Sequence, residues 1–160
     1  MEIDYKKAPT SVRLYGSLVY FGKGLAPLFL LIIRLYFGWQ LFLKGTGKML
    51  HYSDTVAYFT SLDIPTPDLL VAIVAIIETL AGLLLAVGFL SRLASLLIIA
   101  VLAGAYWFAH HAALVAFETD PSLFITQAPY PFLITALTVL SFGPSFLSID
   151  QIIEWRLSKR

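Results

Sequence analysis

With 160 residues, 59% of them apolar and only 13% charged, the chain has room for one domain and the composition of a membrane protein. A net charge of +1 without a basic run argues against a nucleic-acid partner, and the absence of cysteine removes thiol–disulfide chemistry, thiolate-held iron–sulfur clusters, cysteine-type zinc sites and covalent c-type haem. No basic n-region leads into a short apolar core with a cleavage site, so no removable signal peptide is expected.

In chain order, residues 1–24 interleave Arg13 and Lys23 with Val12, Tyr15, Leu18, Val19 and Phe21, the pattern of a segment lying on the cytoplasmic membrane surface. From 25 to 155 the chain reads as an all-α integral membrane four-helix bundle. Its spans are expected at about residues 26–43, 69–89, 93–111 and 131–146. Each is long enough, with modest adjustment, for a hydrocarbon core of ~30 Å at about 1.5 Å per residue. The fourth is the shortest and contains Thr135, Thr138 and Ser141. In the long connection 44–68, Ser53 and Asp54 are placed to cap a short helix with Tyr52, Val56 and Phe59 on one face, closed by Ile64-Pro65. Leu90-Ser91-Arg92 is a tight hairpin that makes the second and third spans antiparallel neighbours. The third connection, 112–129, carries a cap-like Asp120-Pro121, and both long connections are expected at the outer interface. Residues 156–160 form a short tail. Eight Lys and Arg fall on the side of the N-terminal segment, hairpin and tail, against two, Lys44 and Lys48, on the other. That bias places the N- and C-termini in the cytoplasm and the chain, as a multi-pass protein, in the cell's inner membrane.

Arg34 lies near the middle of the first apolar run and Glu78 near the middle of the second. A charge at the bilayer centre costs about 2.5–3.5 kcal/mol on insertion scales, so the two are expected to meet as a buried pair. Gly38 and Gly82 each follow their charge by one helical turn, and Ala75, Glu78, Gly82 and Ala86 form a small-residue stripe that would let the two helices close on each other. Two readings stay open for the pair: a latch that fixes helix register, or a polar spot that handles a ligand or a proton.

His110 and His111 end the third expected span on the outer side. His111 shares a helix face with Gly104 and Trp107, and His110 with Tyr106 and Ala103. Trp39, Gln40, His51 and Tyr130 are expected at similar depth. A quinone ring needs hydrogen-bond donors at two carbonyl oxygens between flat apolar walls, and Arg34, Glu78, Trp39, Gln40, Trp107, His110 and His111 are the candidate set for it. The plain alternative is an aromatic belt with interfacial histidines. For haem, His51 with His110 or His111 is the conceivable pair; adjacent helical histidines point about 100° apart and His51 sits in a loop, so no metal site is expected. There is no nucleophile elbow, and Gly45-Thr46-Gly47-Lys48 lacks the spacing of a phosphate-binding loop.

Several of these segments together resemble a known family. They are Arg34 followed by Gly38, Lys44-Gly45-Thr46-Gly47-Lys48, Ile64-Pro65-Thr66-Pro67, the run from Glu78-Thr79-Leu80-Ala81-Gly82 to Gly88-Phe89-Leu90-Ser91-Arg92, and Gly143-Pro144-Ser145-Phe146-Leu147-Ser148-Ile149-Asp150. Over about residues 27–152 the chain resembles the DoxX family of small bacterial membrane proteins. The resemblance implies a four-helix membrane fold. It also implies a part in passing electrons to the quinone pool, since relatives include a membrane subunit of a thiosulfate:quinone oxidoreductase. The expected function is then an integral membrane subunit of a quinone-linked redox system. It would bind a quinone-like ligand, carry no covalent cofactor, and work in the lipid bilayer with another redox subunit that holds the cofactor. The alternative is a non-enzymatic accessory that anchors or packs against a larger membrane complex.

Because the chain has no cysteine, single introduced thiols report its topology. Ser158→Cys is expected to react with a membrane-impermeant maleimide only after the cytoplasmic face is opened. Labelling in sealed cells would reverse the orientation.

Overall fold

The apolar runs fold into helices whose ends follow local chemistry. The computed structural model describes residues 9–145 and 147–158. In it α1 spans Thr10–Leu50, α2 Tyr52–Ser61, α3 Pro67–Val87, α4 Ser91–Phe108, α5 His111–Val115, α6 Pro121–Ile125, α7 Tyr130–Phe142 and α8 Ile149–Leu157. A 3₁₀ turn covers Ala116–Glu118, and there is no strand among the described residues. α3 begins with Pro67, whose missing N–H is harmless in a first turn, and with Asp68 at the positive end of the helix dipole. It stops at Gly88, whose φ of 72° is the left-handed cap conformation that glycine adopts without strain. The Asp120 carboxylate accepts the Ser122 N–H to start α6, and the Ser148 hydroxyl accepts the Gln151 N–H to start α8.

The main departure from the sequence expectation is α1. Its 41 residues pass from the expected surface segment through the first span and into the expected connection, without a break at Gly22, Gly24 or Pro27. A break beside lipid would strand backbone N–H and C=O groups, at a higher cost than a glycine or proline imposes. Lys44 and Lys48 therefore stand on the last turns of α1, not in a loop. Residues 1–8 of the expected surface segment, residue 146 at the end of the expected fourth span and residues 159–160 lie outside the described residues.

α1 packs chiefly on α3, α3 on α4 and α4 on α7, and α7 returns to α1. This closed four-helix arrangement surrounds Leu41, Ala81, Leu85, Ala94, Ile98, Leu102, Ala136 and Val139. α1, α3 and α4 are long and apolar enough to cross a membrane. α7 is apolar but has only 13 residues, about 20 Å of helix.

The α1–α3 contact sets the register. A Cβ on Gly38 would lie 2.8 Å from Ala86 N and Gly82 O, and one on Gly82 would lie 2.6 Å from Phe42 N. On Gly45 it would lie 2.5 Å from Thr79 N. The small-residue stripe of α3 does face α1, in antiparallel order. Gly82→Ala is expected to force these backbones apart and cost about 1–3 kcal/mol as overpacking, lowering the thermal midpoint in detergent. Gly47→Ala, with open space around it, should be neutral or slightly stabilising through helix propensity. Equal midpoints for the two variants would mean that the glycine contact does not hold the helices in register.

Candidate functional site

Polar side chains gather at opposite ends of the bundle. At the end formed by α2, α5 and α6, the mouth end, a cavity of about 570 Å³ lies within the size range of small-molecule sites. α1 contributes Leu41, Lys44 and Lys48 to its wall, and α3 contributes Leu70, Val74 and Glu78. Tyr58 and Phe59 of α2, Phe108 of α4 and Phe132 of α7 supply aromatic surface, and His110 enters from the α4–α5 turn. The wall is mostly apolar, with a few convergent polar groups.

The electrostatics of this cavity follow from the glycine contact below it. With Gly45 against Ala75 and Thr79, the next turn of α1 carries Lys48 alongside α3. Its ammonium donates to Glu78 Oε2, with the Glu78 side chain 9% exposed and that of Lys48 25%. Lys44, one turn earlier, holds its ammonium over the Phe132 ring, 5.4 Å from the centroid. α4 ends at Phe108, where the N–H groups of Ala109 and His110 both bond to Ala105 O at 2.9 and 3.2 Å. The turn leaves His110 half-buried at the cavity and His111 exposed. Their rings keep the helical neighbours expected of them, Tyr106 at 5.9 Å for His110 and Trp107 at 5.3 Å for His111. Tyr106 is itself fixed by stacking on Phe124 at 4.2 Å and by donating to Phe124 O at 3.0 Å.

The other end is made by the α3–α4 hairpin and the segment leading into α8. Arg34 is 1% exposed there, and its Nη2 donates to the Leu147 carbonyl oxygen. A Cβ on Gly88 would lie 2.9 Å from Arg34 Cζ and 2.6 Å from Ser148 Cβ, so only glycine admits this approach. The Asp150 carboxylate accepts the N–H groups of Leu90 and Ser91 at 2.8 and 2.9 Å, and Asp150 N–H donates to Gly88 O at 2.9 Å. The hairpin motif and the Gly-Pro-x-x-Leu-Ser-x-Asp ending thus close over Arg34.

This corrects the expected Arg34–Glu78 pair. Arg34 is level with Gly88, ten residues along α3 from Glu78, or about 15 Å. Glu78 pairs with Lys48 at the mouth, whereas Arg34 donates one hydrogen bond to the Leu147 carbonyl at the hairpin end, with its buried Nε and Nη1 making no hydrogen bond to the described residues. Of the expected ligand set, Glu78 and His110 line the cavity, while Arg34, Trp39, Gln40, Trp107 and His111 do not. Trp39 is 51% exposed and stacks on Phe42 at 5.1 Å, and Trp107 is 59% exposed. Both turn outward, so neither can serve as a wall of this cavity. Sequence reasoning missed Lys44, Lys48, Tyr58, Phe59, Phe108 and Phe132 as lining residues. The spacing of Lys44 and Lys48 by one helical turn, carried on from the glycine register, was a usable signal for the first two. Among the described residues, no group of three or more histidine or carboxylate side chains is placed to hold a metal ion.

A family model described as DoxX matches residues 29–111, a stretch that includes Arg34, Lys44, Lys48, Glu78 and His110. The inner membrane protein YphA of Escherichia coli (strain K12) is 34% identical over 97 residues, which is 60% of this chain and 69% of that protein. No solved structure matches the chain significantly.

A double-mutant cycle separates the two ends. Loss of one partner of the Lys48–Glu78 pair should cost more than the under ~1 kcal/mol of an exposed pair and less than the ~3–5 kcal/mol of a fully buried one. Lys48→Met and Glu78→Leu together are expected to cost less than their sum. Arg34→Met and Glu78→Leu should simply add; coupling between them in thermal or denaturant unfolding would restore the pair that the register separates.

Proposed function

The chain belongs to the DoxX family of membrane proteins, and from that premise we propose that it is a multi-pass inner-membrane protein that takes a quinone-like, lipid-soluble ligand into the mouth-end cavity. The cavity carries this reading. Its wall is largely apolar, aromatic surface comes from α2, α4 and α7, and Lys44 and His110 offer donors from different elements. A quinone head is flat and has two acceptor oxygens, which such an arrangement suits. The chain brings no thiolate to hold a redox centre, and in this reading the electrons come from a cofactor on a partner subunit. We further propose that the hairpin end is cytoplasmic and the mouth faces outward. Arg13, Lys23, Arg92 and Arg156 support this, since α1 before Arg34, the start of α4 and α8 all belong to the hairpin end.

An accessory role is the second reading, favoured by one observation. The 24 residues of α1 before Arg34, about 36 Å of helix, run past the level of the hairpin, with Leu14, Leu18 and Phe21 exposed. Such a helix can hold a neighbouring subunit.

A water-soluble naphthoquinone added to the purified protein in nanodiscs is expected to raise the thermal midpoint by several degrees. The shift should shrink in Phe132→Ala and His110→Ala and persist in Trp107→Ala. Equal shifts in all four proteins would leave the accessory role as the better account.

A further inference from the structure

Lys44 is a charge at the mouth-end cavity that the fold itself does not answer. Lys48 is matched by Glu78, the one carboxylate among the described lining residues. Lys44 makes no hydrogen bond or ion pair with any described residue, and its ammonium rests on the Phe132 face instead. Lys44 is an exposed residue, and the ring contact leaves its ammonium open to a further partner. The charged side chains lining the cavity therefore sum to one cation in excess, beside a mostly apolar wall.

We propose that the cavity selects a lipid-soluble acid, an apolar body carrying a single anionic oxygen head that Lys44 receives while His110 hydrogen-bonds beside it. This rests on the reading of the cavity as the ligand site and adds a charge to the ligand. A neutral quinone would leave the Lys44 charge unanswered; an acidic hydroxyquinone or a carboxylic acid answers it. Among the described lining residues no other cation is open for the role, because the Lys48 ammonium is engaged by Glu78, and Arg34 is level with Gly88 at the far end of α3. The ring of Phe132, also in edge contact with Phe37 at 5.4 Å, braces the ammonium from below and keeps it at the wall.

The test compares two ligands of one shape. 2-Hydroxy-1,4-naphthoquinone is an anion at neutral pH, and its 2-methoxy ether has the same body without the acid. With the full chain in nanodiscs of zwitterionic lipid, Kd is measured by quenching of intrinsic fluorescence. The wild type is expected to prefer the acid by about tenfold or more, the range of a charge-assisted hydrogen bond. Lys44→Met should bring the two ligands to the same Kd by weakening the acid far more than the ether, and Lys44→Arg should keep the preference. Equal Kd values in the wild type, or a preference that survives Lys44→Met, overturn the inference while leaving a neutral quinone as ligand. If naphthoate binds through Lys44 but neither naphthoquinone does, the quinone reading falls and the acid remains. Displacement of the acid by phosphatidylglycerol added to the nanodiscs would assign Lys44 to a lipid headgroup and overturn the small-molecule ligand.

Discussion

The backbones of α1 and α3 lie so close that side chains are excluded between them, and most of the molecule's chemistry follows from that contact. In lipid there is no hydrophobic drive between helices, so association depends on van der Waals packing and on how near the backbones can come. Gly38, Gly45 and Gly82 provide the nearness, with Ala75 and Ala86 beside them. A contact made at three successive levels permits one register only. It brings Lys48 to Glu78 at the mouth and Arg34 to Gly88 at the hairpin.

The two polar ends then do different work. Around Arg34 the contacts are to backbone and to glycine, and the chain is drawn together from α1, the hairpin and the start of α8. Asp150 stands in for the missing side-chain cap of α4 by taking the N–H groups of Leu90 and Ser91, and Ser145 ties the same segment to the Pro27 carbonyl at 2.6 Å. That is the construction of a latch. At the mouth Lys44, Lys48 and Glu78 line a cavity, and Lys44 rests on the Phe132 ring. Of the two readings left open for the pair, the contacts around Arg34 are those of a latch, while Glu78 lines the cavity for which a ligand is proposed.

Much of this was legible beforehand. Leucine-rich runs marked α3 and α4 to within a few residues because the bilayer itself demands them, and Asp120-Pro121 announced a helix start by chemistry that needs no tertiary partner. The short helix over the mouth was visible in Tyr52, Val56 and Phe59. The charge pairing was not, because hydropathy placed Arg34 and Glu78 by the centres of their runs. Hydropathy registers lipid contact and is blind to where a helix continues in polar company, so it ended the first span near Leu43 although α1 proceeds to Leu50. Depth is better taken from small residues that must touch, and the stripe on α3 held that information. The aromatic wall could not be anticipated in the same way. Phe59, Phe108 and Phe132 come from three separate helices and meet only through tertiary packing.

The shortness of α7 bears on how the mouth is reached. A 13-residue helix falls about 10 Å short of a ~30 Å hydrocarbon core. Hydrophobic mismatch of that size is relieved by thinning the bilayer or by sinking the neighbouring chain into it. The α5–α6 segment leads directly into α7 and, with Phe117, Leu123 and Ile125 exposed, has the apolar surface to sink. Where the bilayer thins, the membrane is depressed on the flank where Phe132 borders the cavity. A molecule dissolved among the acyl chains would there meet the mouth sideways, from within the leaflet, without first crossing into water.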